Sequence, residues 1–126
     1  MELDYIENVN GLEEHVVRLY NFNMAEAIQF RALLIETIME KQQPLDLSQV
    51  AFIKPRNCNL ILGLFASDEG ILSRDQHTFY CILTLKGFAN MIQLITPFCT
   101  KESRGYQYLY EIDNPIDLLF SPTASW

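Results

Sequence analysis

The chain has 126 residues, 49% of them hydrophobic, and a formal charge of −7 from 16 acids against nine bases. Its length suits one domain, residues 1–126, able to bury roughly two thirds of its unfolded surface. The acidity argues against a nucleic-acid partner, which would need clustered Lys and Arg to displace counterions.

In chain order, the segment 1–14 is acidic, with Glu2, Asp4, Glu7, Glu13 and Glu14 and no base. It lacks the basic region and apolar run of a secretory signal, so a cytoplasmic location is expected. His15 to Phe22 reads HVVRLYNF, β-branched and aromatic, and predicts a strand. Asn23 followed three residues later by Glu26 predicts a capping box and a helix running to about Lys41, before Pro44. A short strand fits Val50 to Ile53. Cys58 to Ala66 predicts a strand that is apolar on both faces, and its uninterrupted apolar run is far below the roughly 20 residues of a membrane helix, so no membrane partner is expected. His77 to Leu83 predicts another strand, and Thr84 is a possible N-cap. Leu85, Phe88, Met91, Ile92, Ile95 and Cys99 then recur at helical spacing, predicting a second helix with one apolar stripe. Tyr106 to Ile112 predicts a last strand, ahead of a C-terminal tail, 113–126.

This order, βαββαβ, resembles that of ferredoxin-like folds. It implies an α+β two-layer sandwich with two helices on one face of an antiparallel sheet, and with the acidic segment 1–14 and the tail 113–126 packing on it. The resemblance lies in element order and carries no activity with it. The other sheet face is left to solvent, to a second subunit or to the termini. In the tail, Phe120 and Trp126 are expected to fold back and tie the terminus down.

The charge is unevenly spread. All nine bases lie between Arg18 and Arg104, where they meet eight acids, and the other eight acids occupy the two terminal segments alone. If those segments meet in space they form an acidic patch suited to a basic partner.

Arg31 is the main anomaly, because on a helical wheel it falls inside the arc formed by Ala27, Ile28, Leu34, Ile35, Ile38 and Met39. A buried guanidinium requires an answering group. It can lie at the helix edge, pair internally with Asp113 or Asp117, or bind an external carboxylate or phosphate with its planar fork. Tyr106, Tyr108 and Tyr110 would share one face of the last strand, making a cover or contact row rather than a catalytic one. Asn114-Pro115, between Asp113 and Asp117, marks a turn.

Catalytic patterns are missing. There is no GxGxxG, phosphate-binding loop or GxSxG, and His15 and His77 stand outside any zinc-binding spacing, so no catalytic residue, metal or cofactor is assigned. Cys58, Cys81 and Cys99 are widely spaced and read as reduced packing residues. The expected function is that of a small acidic, non-enzymatic binding or regulatory module, of inhibitor or immunity type, acting on another protein or on itself as a homodimer. The alternative is a small-molecule sensor or enzyme that holds an anionic ligand through Arg31.

Overall fold

Leu3 and Tyr5 alternate with Glu2 and Asp4, a period of two that suits a strand. In the computed structural model, which describes residues 1–9 and 14–123, Glu2–Val9 is strand β1. Glu14–Tyr20 is β2, paired antiparallel to β1. The Asn23–Glu26 capping box then opens α1, Met24–Leu33. The helix continues as a π-helical segment, Leu34–Glu40, in which the Lys41 amide donates back to the Glu36 carbonyl at 3.1 Å. Gln42 ends it with a left-handed φ of 53°, ahead of Pro44.

Three strands and a hairpin follow: β3 (Leu45–Asp46), β4 (Lys54–Pro55), β5 (Asn59–Leu64), then β6 (Gly70–Ser73) turning back into β7 (Thr78–Leu83). Thr84 caps α2, Leu85–Ile95, by accepting from the Gly87 amide at 3.0 Å. A four-residue helix, α3 (Pro97–Thr100), and strands β8 (Gln107–Tyr108) and β9 (Ile116–Ser121) complete the described chain.

The protein is thus mixed α+β, but the strands form two mixed sheets where one antiparallel sheet was the expectation. The first has the order β4-β1-β2-β9-β8, with β2 and β9 parallel; the second has the order β3-β5-β7-β6, with β5 and β7 parallel. The ferredoxin-like order does not account for this arrangement. The two strand–helix units exist as β2–α1 and β7–α2, yet their strands belong to different sheets. The expected last strand shrinks to Gln107–Tyr108, while β9 forms within what reads as a tail. Segments 1–14 and 113–126 therefore supply β1 and β9 on either side of β2. Trp126 lies outside the described residues.

One core joins the sheets and helices: Leu3, Val17 and Phe120 from the first sheet, Leu60, Phe79 and Cys81 from the second, Phe30 and Ile38 from the first helical unit, Phe88 and Met91 from α2. Phe120 is fully buried and meets Phe22, Phe98 and Phe30 at centroid distances of 4.2, 5.2 and 5.9 Å, so this part of the tail folds into the core. Tyr5 on β1 packs on Phe79 of β7 at 4.5 Å, tying sheet to sheet. No helix of the described residues is long and apolar enough to cross a membrane.

Candidate functional site

Arg31 lies at the border of the α1 stripe, half-buried, while Ala27, Phe30, Leu34 and Ile38 take the core positions. Its Nε donates to Thr96 Oγ1 at 3.1 Å, and that hydroxyl donates in turn to the Ile92 carbonyl at 2.8 Å. Among the described residues Arg31 makes no ion pair. Asp113 and Asp117 are not its partners: Asp113 is exposed, and Asp117 projects from the face of the first sheet that points away from the helices. Instead, Arg31 borders a groove of about 560 Å³ with Ile28, Ile35, Glu36, Lys41 and Cys99.

The tyrosines separate. Tyr106 is exposed and Tyr108 half-buried, their rings edge to face at 5.9 Å. A bend at Leu109 turns Tyr110 the other way, into the core, where its hydroxyl bonds to backbone on β6 and β9. Burial pushes the Tyr110 phenol well above its ordinary range. Tyr110 is therefore a structural tie and does not belong to a surface row.

β1 and β9, from the two acidic terminal segments, lie on either side of β2 in one sheet, and arginines answer part of their charge. Arg18 binds Asp4 through two nitrogens, at 2.9 and 2.8 Å, and stacks over Tyr20 at 3.9 Å; Arg56 reaches Glu2 at 2.6 Å. Asp117 lies beside Glu14, and burial, with Glu14 adding to it, raises the Asp117 carboxyl above its ordinary value.

Burial pushes the Cys58 thiol up to about 12, Cys81 further, and Cys99 upward against the lowering field of Arg31. None is an activated nucleophile. Among the described residues no group of three or more His, Cys, Asp and Glu is placed to hold a metal.

The surface that stands out is the outer face of the second sheet, on which sequence reasoning placed nothing. Register puts Asp46, Ile61, Tyr80 and Leu72 side by side across β3, β5, β7 and β6. Strand alternation adds Phe65 and Ile82. Leu60, Leu62, Phe79, Cys81 and Leu83 point into the core from the opposite face, where the helices pack. Phe65, Leu72 and Tyr80 remain 60%, 47% and 42% exposed. Both strands are apolar at nearly every position, which reads as burial on two sides. The element order leaves one sheet face open, but the sequence does not mark these residues as lining it.

At one margin of this face Asp46 Oδ1 accepts from the Ser48 amide, the Ser48 hydroxyl and Asn59 Nδ2, at 3.0, 2.7 and 2.8 Å. The Asn59 bond, ahead of those from Ser48, holds its carboxyl below the usual range, hence charged. At the other margin Arg74 is exposed and borders a groove of about 530 Å³ with Leu72, Thr78, Tyr80 and Ile82. No known protein family, curated protein or solved structure matches this chain.

Proposed function

We propose that this protein is a small acidic, non-enzymatic binding or regulatory module that works in the cytoplasm through protein–protein contacts, in the manner of an inhibitor or immunity protein. The observation that carries this reading is the outer face of the second sheet, where Phe65, Leu72 and Tyr80 stand exposed beside Ile61 and Ile82. Contiguous apolar surface of this kind marks interaction sites on soluble proteins, and the aromatic residues suit an interface core. Nothing in the chemistry of the cysteines or carboxylates supports a covalent or acid–base reaction. The test compares partner recovery from native cytosol by the wild-type chain and by a Leu72→Glu, Tyr80→Glu variant. A partner bound by the first and lost by the second supports the reading; a monomeric wild type that recovers nothing specific overturns it.

Arg31 favours a second reading, the capture of an anionic small molecule. Its guanidinium is half-buried beside a groove, with a neutral hydroxyl as acceptor. A carboxylate or phosphate ligand at a hundred times its dissociation constant would stabilise the fold by about 2.7 kcal/mol. Thermal-shift profiles against carboxylates, nucleotides and amino acids test this. A response abolished in Arg31→Met supports the site, and a flat panel removes it.

A further inference from the structure

The same sheet face suggests which partner it takes. It has an acid at one margin, an arginine at the other and no charge on the row between. Asp46 stands on β3, then come Ile61 on β5, Tyr80 on β7 and Leu72 on β6, with Arg74 just past the end of β6 and lining the same groove as Leu72 and Tyr80. Asp46 is ionised, and its hydrogen bonds all fall on Oδ1. Arg74 makes no ion pair among the described residues. Asp75 borders the same groove, but its Oδ1 is held in its own turn by the His77 and Thr78 amides, at 2.9 and 3.0 Å.

We propose that this face is covered by a second copy of the chain, in an isologous dimer whose two-fold axis runs parallel to the strands between the two sheets. The proposal rests on the reading of this face as a contact surface and goes further by naming the occupant and its register. An axis along the strands reverses the strand order, so β3-β5-β7-β6 faces β6-β7-β5-β3 of the other copy. Ile61 then meets Tyr80 at the centre, and each Asp46 meets the Leu72–Arg74 end of its partner. An axis across the strands would instead set each margin against its own copy, bringing Asp46 towards Asp46 and Arg74 towards Arg74, which like-charge repulsion disfavours. Face-to-face sheets pack about 10 Å apart with strands near −30°, a spacing that apolar side chains such as Tyr80 and Leu72 fill. A chain of charge −7 resists meeting a copy of itself over most of its surface. The uncharged row gives it one place to do so, and the two margin pairs add attraction.

Equilibrium sedimentation tests the proposal. The wild type is expected to dimerise reversibly. Leu72→Glu, an exposed position, should weaken the dimer by about a hundredfold or more through the cost of an unpaired charge in the contact. Arg74→Glu should weaken it less and in a salt-sensitive manner, and Asp46→Lys in the same chain should restore it, since each new charge then faces its opposite across the axis. Asp46→Asn, which keeps the acceptor oxygen, serves if the lysine variant unfolds; it should relieve the repulsion in Arg74→Glu and weaken the dimer on the wild-type background. A dimer that survives Leu72→Glu overturns both the proposal and the contact-surface reading. A monomeric wild type that still loses a cytosolic partner on Leu72→Glu overturns the second copy and leaves the contact surface standing. Loss by Leu72→Glu without any effect at Arg74 or Asp46 overturns the register, and with it the proposal as stated.

Discussion

The hydroxyl of Tyr110 accepts a hydrogen bond from the amide of Ile71 at 3.2 Å, and it donates to the carbonyl of Ile116. Ile71 belongs to β6 at the edge of one sheet and Ile116 to β9 of the other, so one buried phenol satisfies backbone on both. Asn114 reinforces the seam, giving Nδ2 to the Glu69 carbonyl at 2.8 Å and taking the Ile116 amide on Oδ1 at 2.8 Å. An edge strand whose outward amide is taken in this way has less to offer an intruding chain. Tyr110→Phe keeps the ring and removes the hydroxyl, leaving two buried backbone groups without that partner. The expected loss is about 1–3 kcal/mol, read as a lower urea midpoint with an unchanged slope. A midpoint equal to that of the wild type would show that the seam holds without the hydroxyl.

Gly87 gives a prediction in which two rules oppose each other. Within a helix, Gly→Ala ordinarily stabilises by roughly 1 kcal/mol. A Cβ at Gly87, however, would stand 2.6 Å from Asp68 Oδ1 and 2.9 Å from Leu83 Cβ. Asp68 is held in place, since it accepts from the Thr84 amide and hydroxyl at 2.7 and 2.9 Å and so anchors the cap of α2. Gly87→Ala should therefore destabilise despite the better helix former, by on the order of 1–3 kcal/mol as overpacking does. Gly105→Ala is the control, because the nearest atom to its Cβ would be 3.7 Å away. Equal melting temperatures for the two variants would remove the steric argument.

The same residues show how far the sequence can be read. The Asn23–Glu26 box, the Thr84 cap and the α2 stripe are local patterns, set by residues three or four apart, and they form where the spacing puts them. What decides the sheets is long-range pairing. β2 pairs with β9, about a hundred residues away, and a strand carries no mark of its partner. The acidic opening segment hid a strand because Glu2 and Asp4 look like solvated residues until Arg56 and Arg18 arrive from elsewhere in the chain. For the candidate site, Arg31 was visible as an anomaly on its helix, but its hydroxyl partner comes from Thr96, 65 residues further along the chain. Ile61, Leu72 and Tyr80 were invisible as a surface, because apolar strands look alike whether one face or two are covered.

Arg31 and Cys99 yield a third prediction. Arg31 has no internal carboxylate among the described residues, so Arg31→Met leaves no acid stranded and should change the melting temperature little, in contrast to the 3–5 kcal/mol or so lost when a buried ion pair is broken. The readout specific to this geometry is the thiol. Burial raises Cys99 and the Arg31 charge lowers it, so the variant should have a smaller thiolate fraction at Cys99. Alkylation of Cys99 followed by peptide mass spectrometry at mildly alkaline pH should be slower in Arg31→Met than in the wild type. An unchanged rate would place the guanidinium too far away to influence the sulfur.

Asp117 supplies the pH dependence. It is half-buried on the outer face of the first sheet, and desolvation first, then the charge of Glu14, raises its carboxyl in the folded protein. A raised acid is harder to ionise when folded than when unfolded. Its charge therefore costs stability at pH values above the folded pKa, and the cost fades as the pH falls, because the folded chain takes up the proton before the unfolded chain does. Asp117→Asn removes that cost. It should raise the melting temperature relative to wild type at pH 7, and the gain should shrink to nothing as the pH drops below the ordinary carboxylate range near 4, where the acid is neutral in both states. Glu14→Gln should give part of the same gain with the same pH profile, since it removes the second cause and leaves the desolvation. A stability difference that stays constant from pH 7 to pH 3 would mean that Asp117 acts through packing or hydrogen bonding, with no part played by its charge.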